Sequence, residues 1–142
     1  HESNGHGNSP DERSLNTLYL QPTVTFGRTN ELQLALQPRA WVYIFGLEHN
    51  PNLPDYRGYA DLLSTLTWKE CQVAAKFRIG DEGDHSSLQL DFRYRLPRCF
   101  HFNPTIQAQY FTGYGETLRH YNQINRGIRV GLSIYDTIPV DD

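Results

Sequence analysis

The chain opens His1-Glu2-Ser3, which puts an imidazole and a hydroxyl two positions apart. On an extended strand that spacing projects both groups from one face, as a serine nucleophile and its general base require. A third group, Asn16, stands across a polar loop, at the head of an alternating segment and in register with Leu18 and Leu20. An unpaired carboxamide among apolar side chains costs on the order of 1–3 kcal/mol. The cost disappears if Asn16 hydrogen-bonds His1 across a strand pair. Ser3 would then be the nucleophile, His1 the base and Asn16 the group that fixes the imidazole tautomer. An amide does this without the charge of an aspartate, so it stabilises the imidazolium less. The competing reading is plain: a His and a Ser two apart occur often, and all three could be ordinary polar residues beside a loop.

The elements that would position these groups show in the alternation. From Asn16 to Phe26 the even residues Leu18, Leu20, Pro22, Val24 and Phe26 are apolar and the odd ones polar or amphipathic, the period of a strand with one oily and one wet face. A short turn at residues 27–30 leads to a second strand, in which Leu32, Leu34, Leu36, Pro38, Ala40, Val42 and Ile44 are apolar. Residues 46–58, with Pro51 and Pro54, read as a loop. Further strands are expected at 59–68, 72–79, 87–96, 105–112 and 124–134, with a tight turn at Lys69-Glu70, an acidic loop at 80–85, a turn at 97–104 and a loop at 113–122. The expectation is thus an all-β chain of seven antiparallel strands, tight turns alternating with longer loops. A soluble β-sandwich that binds a partner has such a pattern too. Two features favour a transmembrane β-barrel. Arginines sit in mid-strand on the polar face (Arg39, Arg78, Arg93, Arg95, Arg129), and the loops differ in length between the two ends. Those arginines are expected to form a lumenal network with Asp91, Glu31 and glutamines rather than to line a pore.

Composition narrows the class. With 142 residues, 13 Lys+Arg and 16 Asp+Glu, the net charge is −3. This argues against a nucleic-acid binder, which would carry a basic face. The longest apolar run, Ala40 to Phe45, is far too short for a membrane-spanning helix. A mean hydropathy of −0.61 is compatible with a barrel, because half of each strand faces a wet interior. Seven strands are odd in number, and an open sheet edge in lipid is prohibitive. Together with the lack of any Met, this leads us to expect a fragment of a longer barrel, with residues 1–142 as a single domain forming its C-terminal part.

The motifs carry a more specific resemblance. His1-Glu2-Ser3-Asn4-Gly5, a polar loop, then Arg13-Ser14-Leu15-Asn16-Thr17-Leu18-Tyr19 resembles the active-site signature of the outer-membrane phospholipase A family. Asn50-Pro51, Tyr56-Arg57-Gly58-Tyr59, Gly113-Tyr114-Gly115-Glu116-Thr117-Leu118 and Tyr121-Asn122 extend the likeness along the chain. The resemblance implies a twelve-stranded barrel and a calcium-dependent hydrolase. Such an enzyme is active as a homodimer and cleaves phospholipid acyl esters in the bacterial outer membrane. It also implies Ser3, His1 and Asn16 as its triad, on the lipid-facing exterior. The family's calcium ligands come largely from the loop after the motif, which points to His6 and Glu12 here. Neither position has the family's usual residue type, although a backbone carbonyl tolerates such change and carboxylates at Asp11 and Glu12 suit a hard cation. His49 replaces an acidic ligand for a further calcium. The alternative of a different class is a non-catalytic, porin-like or structural barrel.

Three further readings concern single residues. His1 and His6, without a third ligand, make a weak transition-metal site. Cys71 and Cys99 could form a disulfide in an oxidising periplasm or remain two thiols. Trp41, Tyr43, Phe45, Tyr110 and Tyr114 fit either an interfacial aromatic belt or internal packing.

Overall fold

The structure is a computed structural model that describes residues 1–3, 14–28, 31–48, 50–81, 83–97 and 102–136, the last two without their side chains. Among these residues there are nine strands and one short helix: β1 (Glu2–Ser3), β2 (Ser14–Leu20), β3 (Val24–Gly27), β4 (Leu32–Phe45), α1 (Leu53–Arg57), β5 (Ala60–Trp68), β6 (Cys71–Ile79), β7 (Ser86–Arg95), β8 (Phe102–Gly113) and β9 (Asn125–Asp136). They form one antiparallel sheet in the order β1-β2-β4-β5-β6-β7-β8-β9, with β3 also on β4. Every connection joins neighbours, as in an up-and-down barrel wall. Strands β5 to β9 run 9 to 12 residues, the length that crosses a bilayer at a tilt. No described helix is long and apolar enough to cross a membrane.

Register makes the alternation two-dimensional. Leu18 pairs with Val42, Leu66 with Leu34 and Val73, Val73 with Phe92, Phe92 with Ala108 and Ala108 with Val130. One face is therefore apolar from β2 to β9, and its side chains stand bare: Leu20 is 74 %, Ile128 and Val130 each 76 % exposed. On a soluble sandwich that face would be covered. Here it is continuous around the wall, as a lipid-facing surface is. The opposite face carries Arg, Gln, Thr, Lys and Asp.

The expected seven strands are present, with two departures. The first strand is broken between Leu20 and Val24, although β2 and β3 keep one register along β4. That register sets Pro22 opposite Pro38, and neither can donate to the ladder; the Gln37 amide bridges the gap to Thr23 Oγ1 at 2.9 Å. The segment 46–58, expected to be loop throughout, contains α1. Pro54 stands in its first turn, where its missing N–H costs nothing, and Gly58 ends it at φ 58°.

The interior at the loop end is packed. Leu53 of α1 is fully buried with Leu15 of β2 and Leu118 of the loop before β9, and Tyr43, Leu47 and Tyr121 close around them. This apolar plug lies directly behind the start of β2, where the candidate site sits.

Candidate active site

β1 pairs with β2 through Glu2↔Leu15 and Ser3↔Ser14, so His1 falls opposite Asn16. Their side chains meet, with His1 Nδ1 3.0 Å from Asn16 Oδ1. A carboxamide oxygen only accepts, so the proton lies on Nδ1 and the Nε2 lone pair is left for a base. Asn16 shares the outward face with Leu18, 65 % exposed, and Val42, 56 % exposed. Next to it the ladder shifts, from Asn16↔Phe45 to Thr17↔Tyr43. The extra residue, Ile44, makes a bulge that turns Phe45 outward beside Asn16; Phe45 is 67 % exposed. Gly46 follows at φ 101°, and a Cβ there would lie 2.1 Å from Ser14 O, so only glycine lets the chain pass so close to β2.

Glu2 marks which way β1 faces. Its carboxylate turns to the inward side and accepts from Arg57 Nη1 at 2.7 Å, with 57 % of the side chain still exposed. Its neighbours His1 and Ser3 project the other way by strand alternation, and both are exposed. Ser3 thus shares the outward face with the His1–Asn16 pair. Arg57 also donates through Nε to Gly115 O at 2.9 Å, and its side chain is 9 % exposed. Glu2 stands at the loop end, beyond the long strand ladders. Partial burial pushes its carboxyl up. The opposing pull of Arg57, through charge and hydrogen bond and helped by Arg78 and Arg39, prevails and holds it below the ordinary carboxylate range.

Beneath Glu2 lies a second ionic layer. The Asp61 side chain, 2 % exposed, accepts from Arg39 through both oxygens and from Arg78 Nη2 at 3.3 Å. Both guanidiniums lie over the Trp41 ring, at 5.2 and 5.5 Å from its centroid. Glu2, Trp41, Tyr43 and the three arginines line a cavity of about 40 Å³, room for ordered water.

These contacts resolve several sequence expectations. The lumenal arginine network is present, but the acid joining Arg39 and Arg78 is Asp61. Asp91 instead accepts from Gln89 and Gln109 at 2.8 and 2.7 Å, Gln109 from Arg129 at 3.0 Å, and Arg129 pairs with Glu116. Trp41 and Tyr43 do not belong to an interfacial belt: they occupy odd, inward positions of β4, Trp41 against the two guanidiniums that share Asp61 and Tyr43 donating its hydroxyl to Gly58 O at 2.7 Å. Tyr114 likewise packs inside, against Tyr56 and His85. Phe45 and Tyr110 face outward. His6, Glu12, Asp11, His49 and Cys99, and with them the expected calcium ligands and the Cys71–Cys99 pairing, lie outside the described residues. Glu2, Arg57 and Asp61 were missed as supports of the site. One signal pointed to Glu2: a carboxylate between two outward residues must face inward, where it needs a cation.

Comparison with known proteins accords with this geometry. The sequence profile of the phospholipase A1 family matches residues 1–134. Phospholipase A1 of Salmonella typhimurium is 25% identical over 136 residues, which cover 96% of this chain and 44% of that protein. The solved structure of outer membrane phospholipase A from Escherichia coli matches with a TM-score of 0.76 at 25% identity, over 96% of this chain and 52% of that one. The Salmonella typhi outer membrane phospholipase dimer with bound calcium matches with a TM-score of 0.73 at 25% identity, over 94% and 49%. The chain thus spans about half the length, or less, of these relatives. With the profile matched over residues 1–134, this chain belongs to the phospholipase A1 family, and its sheet is part of a bacterial outer-membrane β-barrel.

Proposed function

We propose that residues 1–142 form one domain, the C-terminal part of a barrel whose full-length protein hydrolyses phospholipid acyl esters in the outer membrane. Ser3 is the nucleophile, His1 the general base and Asn16 the group that orients His1. The observation that supports this most is the 3.0 Å contact between His1 Nδ1 and Asn16 Oδ1 on the outward face. It gives a polar carboxamide on an apolar wall a reason to be there, and it leaves Nε2 free to take the proton of Ser3 Oγ. That proton passes to the leaving glycerol oxygen as the acyl-enzyme forms, and water then repeats the sequence to release the fatty acid. The substrate's acyl chain lies along the same face, beside Leu18, Val42 and Phe45.

Calcium fits this reading through the chemistry of the proposed donors. A carboxylate at Glu12 and a backbone carbonyl at His6 are hard oxygen ligands. When bound, the ion supplies a Lewis acid for the negative charge that develops on the ester oxygen. The calcium-bound dimer of the Salmonella typhi relative supports proposing both the ion and a homodimer for the full-length protein. The plugged, ion-paired interior at the loop end favours an enzyme over a porin-like barrel, which needs an open lumen.

The test is fatty-acid release by the full-length protein from phospholipid in detergent micelles. We expect release that needs calcium and falls on the order of 10⁴-fold or more in Ser3→Ala and in His1→Ala. Asn16→Ala should cost about 10- to 100-fold, one hydrogen bond to a charged transition-state group. A folded protein with no calcium-dependent release, or full release in Ser3→Ala, would overturn the assignment.

A further inference from the structure

We infer that Glu2 and Arg57 are positioning residues for the reaction proposed above: their interior ion pair turns the opposite face of β1, with His1 and Ser3, toward the bilayer. The inference rests on that reading of Ser3 and His1. Here β1 pairs with β2 through Glu2↔Leu15 and Ser3↔Ser14, and His1 meets Asn16 on the outward side. Glu2 adds a restraint from the inward side, through its bond to Arg57.

Arg57 is suited to be the anchor because it is fixed by elements other than β1. It is the last residue of α1, whose Leu53 is sealed in the apolar plug. Its Nε is bound to the carbonyl of Gly115, in the loop before β9. Its stem fits only because residue 115 is glycine: a Cβ there would lie 2.6 Å from Arg57 Cγ, and the backbone stands at φ 71°. Two separate loops therefore set where Nη1 is, and Nη1 sets Glu2 at 2.7 Å. Charge reinforces the choice of side. Arg39, Arg57 and Arg78 line one cavity with Glu2, and Asp61 pairs with Arg39 and Arg78 beside it, so this group sets three cations against two anions and draws a carboxylate inward. A base displaced by about 1 Å can lose roughly 100-fold in rate, so the restraint acts on turnover more than on substrate binding.

The test measures kcat and KM of the full-length protein, with calcium, in detergent micelles. Glu2→Ala and Arg57→Ala should each lower kcat about 10- to 100-fold with KM within about twofold, and the double variant should be no slower than the slower single one. Glu2→Gln still accepts from Arg57 and should recover kcat to within about fivefold of the native protein. Arg57→Lys cannot hold both Gly115 and Glu2 and should lose about tenfold in kcat. If the alanine variants do not fold, the two conservative variants decide by those same expectations. Native kcat in Arg57→Ala or Arg57→Lys, or losses that multiply in the double variant, would overturn the inference. Activity surviving in Ser3→Ala would instead overturn the catalytic assignment itself.

Discussion

Two parts of the barrel interior obey the same alternation and differ in kind. Beneath β1 the charges are anchored on buried groups: Asp61, 2 % exposed, holds two guanidiniums, and Arg57, 9 % exposed, holds Glu2, beside an apolar plug. Across β7 to β9 a chain of similar residues, Gln89–Asp91–Gln109–Arg129–Glu116, is joined largely through amides and ends on an arginine 56 % exposed. The first region gives the Asp61 carboxylate partners that water cannot easily replace and seats Glu2, itself 57 % exposed, on a buried guanidinium. The second gives bonds that solvent competes for. What separates them is the covering provided by α1 and the loops before β7 and β9. The difference places the rigid polar core directly behind the strand that carries His1 and Ser3.

Substitutions can break this contrast, and the largest effect falls on Asp61. Asp61→Ala leaves Arg39 and Arg78 without their shared carboxylate and should cost about 3–5 kcal/mol of stability, read from denaturant unfolding of the full-length protein in detergent. Leu53→Ala, which opens the fully buried centre of the plug, should cost about 2–5 kcal/mol in the same assay. Asp91→Asn should cost at most about 1 kcal/mol. Raising the salt concentration should weaken the Arg129–Glu116 pair and leave the Asp61 cluster nearly untouched. Equal costs for Asp61 and Asp91 would erase the distinction between the two regions.

The smallest expected effect is acid-dependent. The carboxyl of Glu2 is held below its ordinary value of 4.5, so its contribution to stability is complete above that pH. It is lost as pH falls through the lower, folded-state value. The stability difference between the native protein and Glu2→Gln should therefore stay constant from neutral pH down to about 4.5 and shrink below it. A difference that instead grew on acidification would contradict the ion pair with Arg57.

Much of this was legible in the residues because a barrel wall is written in period two. The strands β4 to β9, the outward and inward faces, and the meeting of His1 with Asn16 follow from alternation and from the polar anomaly at Asn16. What alternation cannot encode is where it stops or slips. The bulge at Ile44 that turns Phe45 outward and the Pro22–Pro38 break interrupt segments whose alternation of residue types runs on unbroken, and the five-residue α1 lies in a stretch with no period. Nor does a strand pattern name ion-pair partners. Asp61 and Arg39 lie 22 residues apart and Glu2 and Arg57 lie 55 apart, and only the register of the sheet and the path of the loops bring them together. The aromatics of β4 show the same limit: Trp41 and Tyr43 are belt residues by type and core residues by parity.

The most direct test of the central claim is covalent. The full-length protein, with calcium in detergent, would be treated with a long-chain alkyl sulfonyl fluoride and the modified residue located by mass spectrometry. The account predicts one modified site, Ser3, labelled at a rate that collapses in His1→Ala and falls in Asn16→Ala. Labelling of another serine, or of Ser3 at an unchanged rate without His1, would contradict it.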